Sequence, residues 1–273
     1  MDTLLDLPEP LSGVPGPPDG GFAVRHRLGS PTELTPAFLA GIAERSPESW
    51  LRPLQVQSDP HEGRSAVGTH PDAAAAIRGT AEVPGYVGIY NLERFPEYAD
   101  LTRALEAEIR AFVGPVDGGL GRINLAAFVS PPGSVVPAHP DMHHNFLLQI
   151  TGTKTVWVED EPDRREHDTR VAAYHECPAA PTAVLPPARA YELSPGHGVY
   201  IPPDGFHWVE VGDVLSVTFS VGFDTPRTRD VADARRFDRA LGKRRLPVRP
   251  VAYPGRATTS ARARLVRRLR ADG

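Results

Sequence analysis

Between Arg122 and Phe223 glycine and proline cut the chain into short apolar runs, and nothing else in its 273 residues constrains the fold as tightly. Runs of strand length fall at 122–129, 135–141, 145–151, 154–158, 189–193, 198–201, 207–211 and 214–222. Many short strands with turn signals between them predict a β-sandwich or barrel. Alternation gives the faces, because side chains two apart on a strand point the same way. Asn145, Leu147 and Gln149 share one face, and Phe146, Leu148 and Ile150 the other. A polar face opposed to a wholly apolar one directs Asn145 and Gln149 into a wet pocket. In the last run Leu215, Val217, Phe219 and Val221 alternate with Ser216, Thr218 and Ser220, whose hydroxyls face either the pocket or solvent.

The flanks carry other patterns. Residues 1–22 hold five prolines and few large apolar groups, which predicts a mobile lead-in. A short helix is expected over 34–43 and a strand over 86–90. Leu101, Leu105, Ile109 and Phe112 recur at helical spacing. The charged, proline-bearing stretch 159–188 reads as a lid or substrate loop. Helices near 229–241 and 260–270 close the chain. The division expected is a lead-in over 1–22, a catalytic domain over 23–225 with its core at 120–223, and a basic helical extension over 226–273.

Charge sharpens that division. After Pro226 stand 15 Lys/Arg against 4 Asp/Glu, which leaves 15 against 30 before it, although the total is only −4. An acidic body with a basic tail points to self-docking or a homodimer through the C-terminal helices; with so few aromatic residues in the tail, nucleic acid is disfavoured. The single cysteine, Cys177, excludes an internal disulfide framework and fits a reducing cytoplasm. No run is long and apolar enough for a membrane helix, and the acidic start does not resemble a secretory signal. A cytoplasmic protein is expected.

The chemistry is concentrated in three residues. His139 and Asp141, two apart on a strand, present an imidazole and a carboxylate on one face, and His207 lies on a later strand beyond the turn Pro202-Pro203-Asp204-Gly205. Two histidines and a carboxylate on one face of an octahedron hold Fe(II) with open positions for co-substrate and dioxygen. The spacing around them is specific: Gly133, five residues, His139, one, Asp141, three, Asn145, six, Gly152; later Gly196, five residues, Pro202 and His207. By contrast, His175-Glu176-Cys177 suits no ligand set. His143 falls on the Asp141 face and His144 on the opposite one.

These spacings resemble the two motifs of the cupins, with Asp141 and Asn145 in two of the usual His and Glu places. The segment from His139 to Lys154, with Ser130-Pro131-Pro132-Gly133-Ser134 before it and Pro195 to Pro202 after it, is similar to the JmjC-type (cupin-like) 2-oxoglutarate oxygenases. Within them it is nearest the small hydroxylase branch that includes the asparaginyl hydroxylase of hypoxia-inducible factor. The resemblance covers roughly 120–223, well under half the chain. It implies a mainly β fold, the double-stranded β-helix (cupin or jelly-roll barrel) with flanking N- and C-terminal helices. It also implies Fe(II) held by His139, Asp141 and His207, 2-oxoglutarate as co-substrate, and dioxygen as oxidant. Lys154 stands where the family binds the distal carboxylate of 2-oxoglutarate, and Asn145 at a position near the co-substrate. A lysine directed into a barrel is costly unless an anion meets it. Where the family often has Thr or Ser three residues before the first histidine, this chain has Val136. Thr218, Ser220, Tyr86 or Tyr90 would have to supply that hydroxyl.

The implied reaction is hydroxylation of a C–H bond in an amino acid, a peptide or protein side chain, or a natural-product intermediate. Asp141 argues against halogenation, for which the family replaces the carboxylate with a small residue. Two other readings stay open: a cupin metalloenzyme that ignores 2-oxoglutarate, and a non-catalytic cupin that binds a partner.

Overall fold

A computed structural model describes residues 3–8, 20–28, 32–63, 72–79, 85–160, 163–242 and 259–271. Its strands are β1 (Leu5–Asp6), β2 (Phe22–His26), β3 (Leu51–Gln55), β4 (Gly85–Tyr90), β5 (Ile123–Ser130), β6 (Val135–Pro140), β7 (His144–Thr151), β8 (Lys154–Glu159), β9 (Ala188–Leu193), β10 (His197–Ile201), β11 (Phe206–Val211) and β12 (Ser216–Phe223). The helices are α1 (Pro36–Arg45), α2 (Ala73–Arg78), α3 (Ala99–Val113), α4 (Arg164–Glu176), α5 (Pro226–Gly242) and α6 (Thr259–Ala271).

All the strand pairs are antiparallel. Eight strands form one sheet in the order β1-β2-β10-β7-β12-β5-β4-β3, and four form a second in the order β6-β11-β8-β9. These two sheets are the double-stranded β-helix, and every strand expected between 122 and 223 is present within two residues of its expected bounds. At the β7–β8 hairpin Gly152 has φ +71°, and a Cβ there would stand 2.6 Å from the Leu215 carbonyl oxygen. Only glycine satisfies both conditions.

Alternation along β7 divides the interior in two. Phe146, Leu148 and Ile150 face outward against the helical layer, in one core with Leu105, Ile109 and Phe112 of α3 and with Val217, Phe219, Val221 and Phe223 of β12. Leu147 faces the other way, into a smaller core with Val156, Val158, Leu193, Val199, Ile201 and Val209 between the sheets. The polar residues of β7 and β12 share that inner side, so the hydroxyls of β12 are buried and not solvent-facing.

Three segments depart from the expected plan. Within the lead-in, Leu5–Asp6 pairs with β2, and the Leu4 and Leu5 amides donate to the Glu108 carboxylate of α3; residues 9–19 lie outside the described residues. β2 and β3 extend the large sheet at its two sides. The 159–188 excursion contains a helix, α4, capped by Asp163, whose side chain accepts from the Arg165 and Glu166 amides. Buried Glu159 anchors α4 to the barrel, accepting from His167 Nδ1 at 2.8 Å and from Arg170 Nη2.

Phe146 is fully buried, with ring contacts to Phe22, Phe112, Tyr200 and Phe223. Phe146→Ala is expected to lower the unfolding free energy by about 3–5 kcal/mol in urea titrations. A loss below ~1 kcal/mol would show that the helix–sheet core does not carry the fold.

Candidate metal centre

β6 and β11 are adjacent antiparallel strands of the small sheet, and His139 and His207 are direct partners across them. That pairing brings the two imidazoles together at a ring-centroid separation of 4.2 Å. Asp141 follows just beyond the end of β6, with its Oδ2 3.8 Å from His207 Nε2. One ligand atom from each of His139, Asp141 and His207 lies within 4.8 Å of the others, the only such group among the described residues.

Backbone carbonyls set the orientation of both rings. His139 Nδ1 donates to the Pro137 carbonyl at 2.7 Å, and His207 Nδ1 to the Gly205 carbonyl at 3.0 Å. With Nδ1 protonated, Nε2 is the lone-pair nitrogen on each ring, the arrangement that prepares histidine for metal ligation. Two such nitrogens and a half-exposed carboxylate fit a divalent metal that prefers mixed nitrogen and oxygen donors.

The triad opens on a cavity of about 220 Å³ between the sheets. Its wall includes Tyr86, Tyr90, Asn145, Lys154 and Ser220, all singled out from the sequence. Val136 is there too, as an apolar patch. Ser220 Oγ donates to Asn145 Oδ1 at 2.8 Å, which fixes the amide at the cavity wall. Thr218, by contrast, does not line the cavity: its hydroxyl donates to Gln149 Oε1 at 3.0 Å, while Gln149 Nε2 donates to Ser216 Oγ at 2.7 Å.

Lys154 is the electrostatic anomaly. Its side chain is buried, and Nζ donates to Ser130 Oγ at 3.1 Å. No carboxylate pairs with it among the described residues. Burial alone pulls its pKa down to about 7. A cation so placed is costly until an anion enters the cavity.

Arg52, Tyr90, Asn124 and His143 also line an outer chamber of about 250 Å³, which continues the site toward solvent past Ser49, Arg122 and Asp224. Arg52 lies over the Tyr90 ring, 5.4 Å from its centroid. His143 therefore does line the site, as its place on the Asp141 face suggested. His144 points into the helical core, stacks on Phe223 and shares a hydrogen bond with the Tyr200 hydroxyl; burial pulls its pKa down to about 3. Arg52 escapes a reading of the sequence because β3 shows no period of its own. Ser130 escapes it because a serine at a strand end carries no signal of a lysine 24 residues away.

A barrel of two antiparallel sheets with a His/Asp/His group between them is the architecture of the cupins. Residues 120–231 match the JmjC domain family. Over 116 residues the chain is 29% identical to Jumonji C domain-containing protein 5 of Drosophila melanogaster, covering 38% of this chain and 28% of that protein. Over 105 residues it is 31% identical to the ribosomal protein uL16 3-hydroxylase of Escherichia coli K12, covering 37% of this chain and 26% of that one. The matched segment thus spans little more than a quarter of either relative. The X-ray structure of E. coli YcfD superposes on the whole chain and on 70% of its own, with a TM-score of 0.55 at 18% identity, which establishes the shared fold.

The lowered pKa of Lys154 makes a pH-dependent prediction. The folded state releases this proton near pH 7 and the unfolded state near 10.5, so between those values the unfolded state binds more protons and stability rises with pH. Below about pH 7 the burial cost is fully present. Lys154→Met should therefore be more stable than the parent at pH 6–7. Its advantage should shrink by up to about 1.4 kcal/mol per pH unit toward pH 10. A difference that stays flat across urea titrations in this range would mean that Lys154 is not a desolvated cation.

Proposed function

We propose that the protein is an Fe(II)- and 2-oxoglutarate-dependent oxygenase that hydroxylates a C–H bond. The observation that carries this reading is Lys154, a buried cation with no acidic partner among the described residues, on the wall of the cavity that holds His139, Asp141 and His207. A cupin metalloenzyme that ignores 2-oxoglutarate has no use for such a cation, and a pure binding module has no use for a metal triad.

The metal and co-substrate supply the oxidising power when bound: dioxygen and 2-oxoglutarate are consumed, one oxygen atom enters the substrate, the other enters succinate, and carbon dioxide leaves. The chain's residues bind and orient. Lys154 Nζ holds the distal carboxylate of 2-oxoglutarate and is itself placed by Ser130. Asn145, fixed by Ser220, and the tyrosines of β4 supply polar contacts on the same wall. Val136 and Leu147 keep part of the wall dry, which strengthens the lysine–carboxylate attraction. His139, Asp141 and His207 leave open positions for co-substrate and oxidant.

The substrate reaches the triad through the outer chamber, past Arg52, Asn124 and His143. One relative acts on a ribosomal protein, as its name states, and on that basis we assign this protein a peptide or protein side chain as substrate class. The JmjC family resemblance and the absence of a membrane-length apolar helix among the described residues are compatible with work in the cytoplasm.

Calorimetric titration of the Co(II)-loaded protein with 2-oxoglutarate tests the assignment of Lys154. Lys154→Ala is expected to weaken binding at least about 30-fold, the order of 2 kcal/mol for removing a charge-assisted hydrogen bond from a buried site. Unchanged affinity in a folded variant would move the anchor elsewhere.

A further inference from the structure

The basic C-terminal extension sends one side chain into the support of the metal triad. Arg235, on α5, donates from Nη2 to Asp204 Oδ2 and from Nη1 to His175 Nε2, the latter at 3.0 Å. The two side chains of the ion pair are 11% and 1% exposed. His175 belongs to α4, and its Nε2 lies 4.0 Å from Asp204 Oδ1. The pair thus joins α4, α5 and the turn between β10 and β11.

That turn holds two of the three ligands. The Asp204 amide donates to the Asp141 carbonyl at 2.6 Å. The next residue, Gly205, supplies the carbonyl that accepts from His207 Nδ1 at 3.0 Å. Asp204 itself has φ 63°, a left-handed conformation that aspartate and asparagine tolerate better than most residues other than glycine. Its buried carboxylate needs a cation nearby, because a charge left alone in such a place is strongly destabilising. Arg235 meets that need from a helix outside the barrel.

We infer that Arg235 is a positioning residue for the metal centre, acting through Asp204. Without the guanidinium, the turn relaxes, the backbone behind Asp141 loses its donor, and the His207 ring loses its fixed tautomer and tilt. Other ion pairs of the extension lie elsewhere: Arg262 with Asp238, and Arg267 with Asp230 and Asp233, tie α6 to α5, and Arg236 pairs with Asp233 within α5. They provide an internal control of equal chemistry. Part of the tail's positive charge is accordingly matched within its own helices, and one arginine is directed inward.

The inference rests on the reading of the triad as a metal site, so two measurements on the full chain separate them. The first is calorimetric titration with Co(II). The second is amide hydrogen exchange over residues 203–207 of the metal-free protein. Arg235→Met is expected to weaken Co(II) binding about 10- to 100-fold, as loss of an outer support for metal ligands does. It should also accelerate exchange at the Asp204 amide. Arg235→Lys should recover part of both, and Arg262→Met should change neither. A folded Arg235→Met that binds Co(II) within about two-fold of the parent, with unchanged exchange, would overturn the inference. Should Arg235→Met fail to fold, Asp204→Asn decides: asparagine keeps the volume and tolerates the left-handed backbone but drops the charge, and the same losses are expected. A parent that binds no Co(II) would sink the metal reading, and the exchange measurement would still decide on Arg235.

Discussion

The pairing of His139 with His207 across β6 and β11 is the interaction on which the rest of the site depends. Residues 68 positions apart become neighbours because two short antiparallel strands are held in one register. A slip of one residue in either strand would turn its imidazole away from the cavity, since side chains alternate with a period of two. Several features hold that register. β8 pairs with β11 on its other side, from His207↔Val158 to Val211↔Lys154, and Phe206, Trp208 and Ala138 pack with Val171 of α4. The Phe206 amide also points at the buried Glu159 carboxylate, 3.4 Å away. The carbonyls of Pro137 and Gly205 then fix the rings, so the backbone chooses which nitrogen each ring leaves free of it.

The same register places Lys154. It begins β8, opposite Val211 of β11 and Leu193 of β9, and its side chain runs between the sheets. In an apolar interior that position would be untenable for a charged ammonium, and the lowered pKa expresses the strain. The cavity therefore holds two incomplete electrostatic arrangements at once: three ligand groups gathered without an intrinsic need for each other, and a cation without an anion. The metal and 2-oxoglutarate proposed above would complete both, the metal on His139, Asp141 and His207 and the co-substrate carboxylate on Lys154. The outer helices α4 and α5 stabilise the turn at one end of this arrangement, which gives the C-terminal extension a role the barrel alone does not supply.

Much of this is readable along the chain. The strands from 123 to 223 announce themselves by alternation and by glycine and proline at their ends, and the ligands by spacing relative to those turns. α3 is legible because Leu105, Ile109 and Phe112 repeat at its own period. What could not be read has a common cause, namely dependence on partners far away in sequence. β1, β2 and β3 are short and gain their hydrogen bonds from strands distant in the chain. α4 buries only His167 and Val171, so no apolar stripe marks it; its cap at Asp163 and its ties to Glu159 hold it. Arg52 and Ser130 reach the site, and Arg235 the turn behind it, through long-range neighbours that no local pattern encodes. Thr218 shows the converse: alternation put its hydroxyl on the inner face, yet it donates to Gln149 and neither residue lines the cavity.

The central claim is that one cavity assembles a metal on His139, Asp141 and His207 with 2-oxoglutarate chelated beside it. Anaerobic addition of Fe(II) and then 2-oxoglutarate, followed by visible absorption, reads that assembly directly. The account predicts a metal-to-ligand charge-transfer band that appears only with both components and is abolished in His207→Ala. Folded parent protein that shows no band at saturating Fe(II) and 2-oxoglutarate, or a band that persists in His207→Ala, would contradict it.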